Sequence, residues 1–144
     1  MLNILLGEDD PDDSMLFIQA VSECNIASVV SVAENGALLL SQLKCAETAF
    51  PDIIFLDINM PLKNGLECLE EIRTDAGFKN IPVIIYSTSA DKKEIESCYQ
   101  KGADCYVVKP FSFEAISKMV NDLCTRDWQA ESHKDITSFV VSYE

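Results

Sequence analysis

Asp57 stands where a carboxylate is expensive to place. It follows four consecutive apolar residues, Ile53-Ile54-Phe55-Leu56, and precedes Ile58-Asn59-Met60-Pro61. An ionised carboxylate beside a buried run needs a cation, a metal or hydrogen bonds to offset its lost hydration. Other apolar runs also end in residues able to do chemistry. Leu2-Asn3-Ile4-Leu5-Leu6-Gly7 runs into Glu8-Asp9, Pro82-Val83-Ile84-Ile85-Tyr86 into Ser87, and Cys105-Tyr106-Val107-Val108 into Lys109. Taken singly, Asp57 reads as a turn cap, Lys109 as a solvated loop lysine and Ser87 as a turn residue. Their common position at the ends of apolar runs changes that reading.

Three carboxylates brought within a few ångströms repel by roughly 4 kcal/mol per pair at an effective dielectric of 20, so the group calls for a counterion. Oxygen donors without histidine or cysteine select Mg²⁺, with Mn²⁺ also possible, over zinc. Asp9 and Asp57 are the expected direct ligands, the backbone carbonyl of Asn59 a further one, and Glu8 acts directly or through water. A metal-held aspartate can also accept a phosphoryl group as an aspartyl phosphate. Lys109 would supply a second positive charge and Ser87 a hydroxyl donor to the transferred oxygens.

The elements that position these residues alternate. Asp10-Pro11 suits the N-cap and first position of a helix, whose apolar face Met15, Leu16, Ile18 and Val21 carries it to Cys24. The acidic run from Glu8 to Asp13 leaves open which acids face a metal, with Asp10 preferred as the cap. Ser28 to Ala33 reads as a strand and Ala37 to Ala46 as a helix. Leu66, Leu69 and Ile72 mark a third helix, a fourth runs from Asp91 to Lys101 and stops at Gly102, and a fifth spans Phe113 to Cys124. Five strands alternating with five helices predict an α/β fold: a three-layer α/β sandwich around a parallel sheet, with ligands gathered outside the carboxyl ends of its strands.

Length and composition bound the rest. At 144 residues the chain suits one domain, and with 48% hydrophobic and 24% charged residues it is globular. A formal charge of -13 opposes direct nucleic-acid binding, and no apolar run approaches a membrane span. With no leader visible at the N-terminus, a cytoplasmic location is expected. The six cysteines are spread singly and read as reduced, small hydrophobes. His133 is the only histidine, which leaves little for a Ser-His-Asp or Cys-His site.

The ordered set Glu8-Asp9, Leu56-Asp57-Ile58-Asn59-Met60-Pro61, Gly65, Ser87, Tyr106 and Lys109-Pro110-Phe111 resembles the response-regulator receiver domain of two-component signalling, over about residues 2 to 125. The resemblance implies a flavodoxin-like, five-stranded sheet of order 2-1-3-4-5. It implies that Asp57 is the phosphoacceptor of a partner histidine kinase or phosphotransfer protein, that Glu8, Asp9 and the Asn59 carbonyl hold Mg²⁺, and that Lys109 and Ser87 meet the phosphate. It makes Ser87 and Tyr106 a switch, the hydroxyl moving toward the phosphate as the ring turns inward. It also suggests a cis Lys109-Pro110 bond. Two departures stand out: Thr88 where receivers often carry alanine, which bears on phosphate lifetime, and Gly7 for an apolar residue, expected to loosen the first strand.

The expected organisation is a receiver domain over 1–126 and a C-terminal tail, 127–144, that extends helix 5 and is too short for an output domain. The expected function is a stand-alone response regulator that signals by protein contact, with an unknown downstream target. Its own chemistry would be limited to phosphoryl acceptance and slow autodephosphorylation, so it is not expected to be an enzyme. The tail holds the only Trp and the run Ile136-Thr137-Ser138-Phe139-Val140-Val141-Ser142-Tyr143, so it either folds back on its own domain or packs against a second copy as a homodimer. The enzymatic alternative, a Mg²⁺-dependent phosphohydrolase working through an aspartyl phosphate, generally has a second Asp two residues after the nucleophile. Here that position is Asn59. A nucleotide- or flavin-binding module lacks support because no glycine-rich phosphate loop follows any strand.

Overall fold

The computed structural model describes residues 1–45, 50–129 and 135–143. In chain order the elements are β1 (Leu2–Gly7), α1 (Pro11–Glu23), β2 (Ser28–Ala33), α2 (Gly36–Lys44), β3 (Ile53–Leu56), α3 (Gly65–Thr74), β4 (Val83–Ser87), α4 (Lys92–Gln100), β5 (Cys105–Val108), α5 (Phe113–Thr125), α6 (Ile136–Phe139) and β6 (Val140–Val141). The strands form one parallel sheet of order β2-β1-β3-β4-β5-β6. The sheet therefore has six strands where five were expected, and the sixth comes from the tail.

Each strand sends alternate side chains to opposite faces, and two cores result. On one face Ile4, Leu6, Ile53, Phe55, Ile84, Cys105 and Val107 pack against Phe17, Ala20 and Val21 of α1 and Met119, Val120 and Leu123 of α5. On the other, Leu5, Ile54, Leu56, Val83, Ile85 and Tyr106 pack against residues of α2, α3 and α4. The caps explain why helices begin where they do. Asp10 accepts from the N–H groups of Asp12 and Asp13, Asn64 and Glu67 close a reciprocal capping box, and Ser112 accepts from Ala115. Gly102, at φ +95°, ends α4, its N–H on the Tyr99 carbonyl and that of Ala103 on Cys98.

Gly7 does not loosen β1, which pairs through it with Ala33 on one side and Leu56 on the other. A Cβ there would lie 2.7 Å from a Leu39 methyl, so glycine makes room for α2 to pack. All six cysteines are thiols; Cys68, Cys98 and Cys105 are buried as expected, while Cys45 is exposed.

The expected extension of α5 into the tail is not present: the helix stops at Thr125, and Arg126 already has extended backbone at ψ 146°. Trp128 instead donates its indole N–H to the Leu123 carbonyl at 2.9 Å, turning the chain back. His133 lies outside the described residues. From Asp135 the segment crosses its own domain: β6 pairs with β5, Tyr106 opposite Val140 and Val107 opposite Val141, and the Tyr143 hydroxyl donates to Asp122. Phe139 is 1% exposed, with its ring 5.2 Å from that of Tyr99 and 6.3 Å from that of Tyr106.

That packing makes the tail part of the core. Phe139→Ala is expected to lower the unfolding free energy by about 3 kcal/mol, the typical result of emptying a buried aromatic site. Ile136→Ala, on the exposed side of the same short helix, is expected to stay within about 0.5 kcal/mol of wild type. Urea titrations of the two variants check this, and equal stabilities would contradict the packing.

Candidate functional site

The ladder hydrogen bonds continue one residue past three of the strands. Glu8 donates its N–H to the Ala33 carbonyl at 3.0 Å, Asp57 to Gly7 at 3.0 Å and Lys109 to Ser87 at 2.8 Å. Each of these residues therefore keeps the extended alternation of its strand, placing its side chain on the side of α1 and α5. Ser87 and Tyr106 have the opposite parity. The sheet thus divides the predicted site into a charged group on one face and a hydroxyl–aromatic pair on the other.

On the charged side Glu8 is 2% and Asp57 6% exposed, and the Lys109 side chain is 8% exposed. The Lys109 ammonium donates to Asp57 Oδ2 at 3.0 Å and to Asp13 Oδ2 at 2.9 Å. It also forms a buried ion pair with Glu8, its Nζ lying 2.6 Å from Oε1. The Tyr86 ring lies beneath it, 5.4 Å from Nζ. Burial works against the ammonium, but Glu8, Asp13 and Asp57 outweigh it and hold Lys109 above its ordinary range. Burial pushes Glu8 up to about 7, against the pull of Lys109 and with a further push from Asp57. The two directions agree physically: one shared ammonium gains from every carboxylate, while the carboxylates repel one another.

Glu8, Asp9 and Asp57 each bring a carboxylate oxygen to within 4.8 Å of the others, and Asp9 is exposed at the rim. Three hard oxygen donors that a single ammonium does not neutralise fit a divalent cation such as Mg²⁺ or Mn²⁺. Asn59 lies beside them, with its N–H donating to Asp57 Oδ1 at 3.1 Å. Asp10 is the helix cap, as preferred from the sequence, and its N–H donates to Glu8 Oε2 at 3.2 Å. Gly65 packs so close to the phosphoacceptor candidate that a Cβ would lie 2.3 Å from the Asp57 carbonyl oxygen. Only glycine lets α3 begin there.

Asp13 was not among the site residues expected from the sequence. Its signal was present but weak: it sits three residues after the α1 cap, in the helical turn that starts directly above the β1 exit.

On the other face Ser87 is fully buried, and its hydroxyl accepts from the Ser89 N–H at 3.2 Å. Tyr106 is 0% exposed, its hydroxyl donating to the Ser89 carbonyl at 2.7 Å and interacting with the Ser87 side chain. The ring is therefore turned inward, joined to the Ser87–Ser89 turn, with Phe139 against it. Thr88 is exposed at the rim. No cis peptide bond occurs among the described residues, so Lys109-Pro110 is trans, against the expectation. For an X–Pro bond the two forms differ by only about 0.5–1 kcal/mol, too little for local sequence to decide.

Comparison with known proteins matches residues 4–121 to the family model for the response regulator receiver domain. The chain is 31% identical over 124 residues to the response regulator Rcp1 of Synechocystis sp., covering 83% of this chain and 84% of Rcp1. Its structure resembles that of the phosphorylated cyanobacterial phytochrome response regulator RcpA, with a TM-score of 0.79, 30% identity and coverage of 85% and 90% of the two chains. It also resembles the Mn²⁺-bound form of Rcp1, with a TM-score of 0.80, 26% identity and coverage of 94% and 100%.

The position of Glu8 makes a pH prediction. Its ordinary value is 4.5 and its folded value about 7, so between these the unfolded chain has released a proton that the folded chain keeps. The associated stability is complete below about 4.5 and is lost as pH rises through about 7. In chelating buffer, wild type is expected to lose up to roughly 3 kcal/mol across that window. Glu8→Gln should flatten the slope, and Mg²⁺ should reverse the loss in wild type. Parallel urea titrations at several pH values check this, and an unchanged slope in the variant would refute it.

Proposed function

This chain belongs to the response regulator receiver family, and we propose that it acts as a stand-alone response regulator whose Asp57 accepts a phosphoryl group from a histidine kinase or phosphotransfer protein. The observation that carries this reading is Asp57 Oδ2 held by the Lys109 ammonium at 3.0 Å in a nearly dry site beside two further carboxylates. A solvated turn cap has no need of such surroundings.

The donor's phosphohistidine brings its phosphorus to the open edge of the sheet. An Asp57 carboxylate oxygen forms the new P–O bond as the donor's P–N bond breaks, and the electron pair leaves with the imidazole nitrogen. Glu8, Asp9, Asp57 and the Asn59 carbonyl would hold Mg²⁺, which supplies positive charge to the phosphoryl oxygens. Lys109 supplies the second positive charge and stays within the site because its stem leaves β5 in extended conformation. Ser87, adjacent on β4, offers its hydroxyl to the transferred group, and Tyr106 follows through the Ser87–Ser89 turn. The work is positioning and charge neutralisation, as phosphoryl transfer requires.

Turnover as a phosphohydrolase is disfavoured by Asn59, which offers no ionisable proton where a general acid would stand. The regulator then works in the cytoplasm by contact with a downstream protein.

Acetyl phosphate with Mg²⁺ is expected to add one phosphoryl mass to wild type and none to Asp57→Asn, with chelation abolishing the gain; intact-mass spectrometry reads both. Equal gain in the variant would remove Asp57 from the reading. Thr88, β-branched at the rim, should narrow the path of the hydrolysing water. Thr88→Ala is expected to shorten the phosphate lifetime several-fold, measured by loss of the added mass after donor removal. A lifetime equal to or longer than wild type would count against that role.

A further inference from the structure

Lys109 makes directed hydrogen bonds to two carboxylates, Asp57 at 3.0 Å and Asp13 at 2.9 Å, and a charge contact to Glu8. On the phosphoacceptor reading, on which this inference rests, two of the three have another duty. Glu8 belongs to the group of acids fit for a divalent cation, and Asp57 commits an oxygen to the new P–O bond on becoming an acyl phosphate. Asp13 belongs to neither. We propose that Asp13 is a positioning residue for phosphoryl acceptance, holding the Lys109 ammonium in the site while Glu8 and Asp57 are engaged elsewhere.

The placement suits the task. Asp13 is in the first turn of α1, its backbone N–H on the Asp10 cap at 3.4 Å, and α1 is anchored by Phe17 and Ala20, both 0% exposed. The carboxylate therefore projects from a fixed helix rather than from a loop. A lysine stem has many rotamers, so an ammonium with one remaining partner would sample many positions, while a second anchored partner confines it. A contrary effect comes from the charge of Asp13, which repels an entering phosphodonor. The two effects separate chemically. Asparagine keeps an oxygen acceptor for the ammonium but removes the charge, whereas alanine removes both.

Three proteins are compared: wild type, Asp13→Asn and Asp13→Ala, each first shown to be folded by its thermal transition. If the alanine variant does not fold, Asp13→Ser replaces it, being compatible with a first helical turn but too short to reach Nζ. Acetyl phosphate labelling is expected to be at least as fast in Asp13→Asn as in wild type and about tenfold slower in Asp13→Ala. Affinity for beryllofluoride with Mg²⁺, read by ¹⁹F NMR, should follow the same order. An independent reading uses no phosphodonor: the ¹⁵N ammonium resonance of Lys109, assigned by its disappearance in Lys109→Arg, should persist in Asp13→Asn and exchange away in Asp13→Ala. Indistinguishable variants would overturn the proposal, leaving Asp13 as an acid at a helix N-terminus. An alanine variant faster than the asparagine one would also overturn it, because repulsion alone would then govern. Wild type that takes up no phosphoryl group overturns the phosphoacceptor reading itself, an outcome distinct from variants that merely match a labelled wild type.

Discussion

A single ammonium shared among three carboxylates holds the upper rim of this sheet together. Glu8, Asp57 and Lys109 leave three different strands, and each exit is fixed by one further ladder hydrogen bond before the chain turns away. Without Lys109 two nearly buried carboxylates would face each other across the β1–β3 pair. Breaking a buried ion pair by removing one partner is far more damaging than replacing both. The same arrangement keeps the site poised, because the acids outnumber the cation and a divalent ion would relieve what the lysine leaves unbalanced.

The period of a strand then separates tasks. Residues one apart in β4 and β5 point to opposite faces, so Lys109 shares a layer with α1 and α5, whereas Tyr106 and Ser87 share one with α2, α3 and α4. Charge compensation and ring orientation are therefore built in different cores, with the sheet as their only shared wall. Ser87 spans the two: its backbone carbonyl receives the Lys109 N–H, while its hydroxyl belongs to the turn that binds Tyr106.

Much of this was legible in the residues. The apolar runs, the positions of polar residues at their ends, and the helix ends marked by Asp10 and Gly102 are local features, and local physics placed them correctly. What the sequence did not reveal depends on distant partners. The pair Val140–Val141 becomes a strand only because β5 offers an unpaired edge, and the β-rich stretch before it winds into a short helix so that Phe139 reaches Tyr99 and Tyr106. Asp13 looked like one more acid in a helical first turn, since nothing nearby in sequence announces a lysine 96 positions away. Gly7 looked like a weakness until the Leu39 methyl group filled the space beside it.

The short final strand has one more physical consequence. An edge strand exposes a row of unpaired amide groups on which another polypeptide can add, and β5, at four residues of mostly buried apolar character, would be an open template for such growth. Covering it with β6 moves the edge outward to a strand of only two residues. Two residues give little purchase for a foreign strand, so the protein's own C-terminal segment acts as a guard against sheet-to-sheet aggregation.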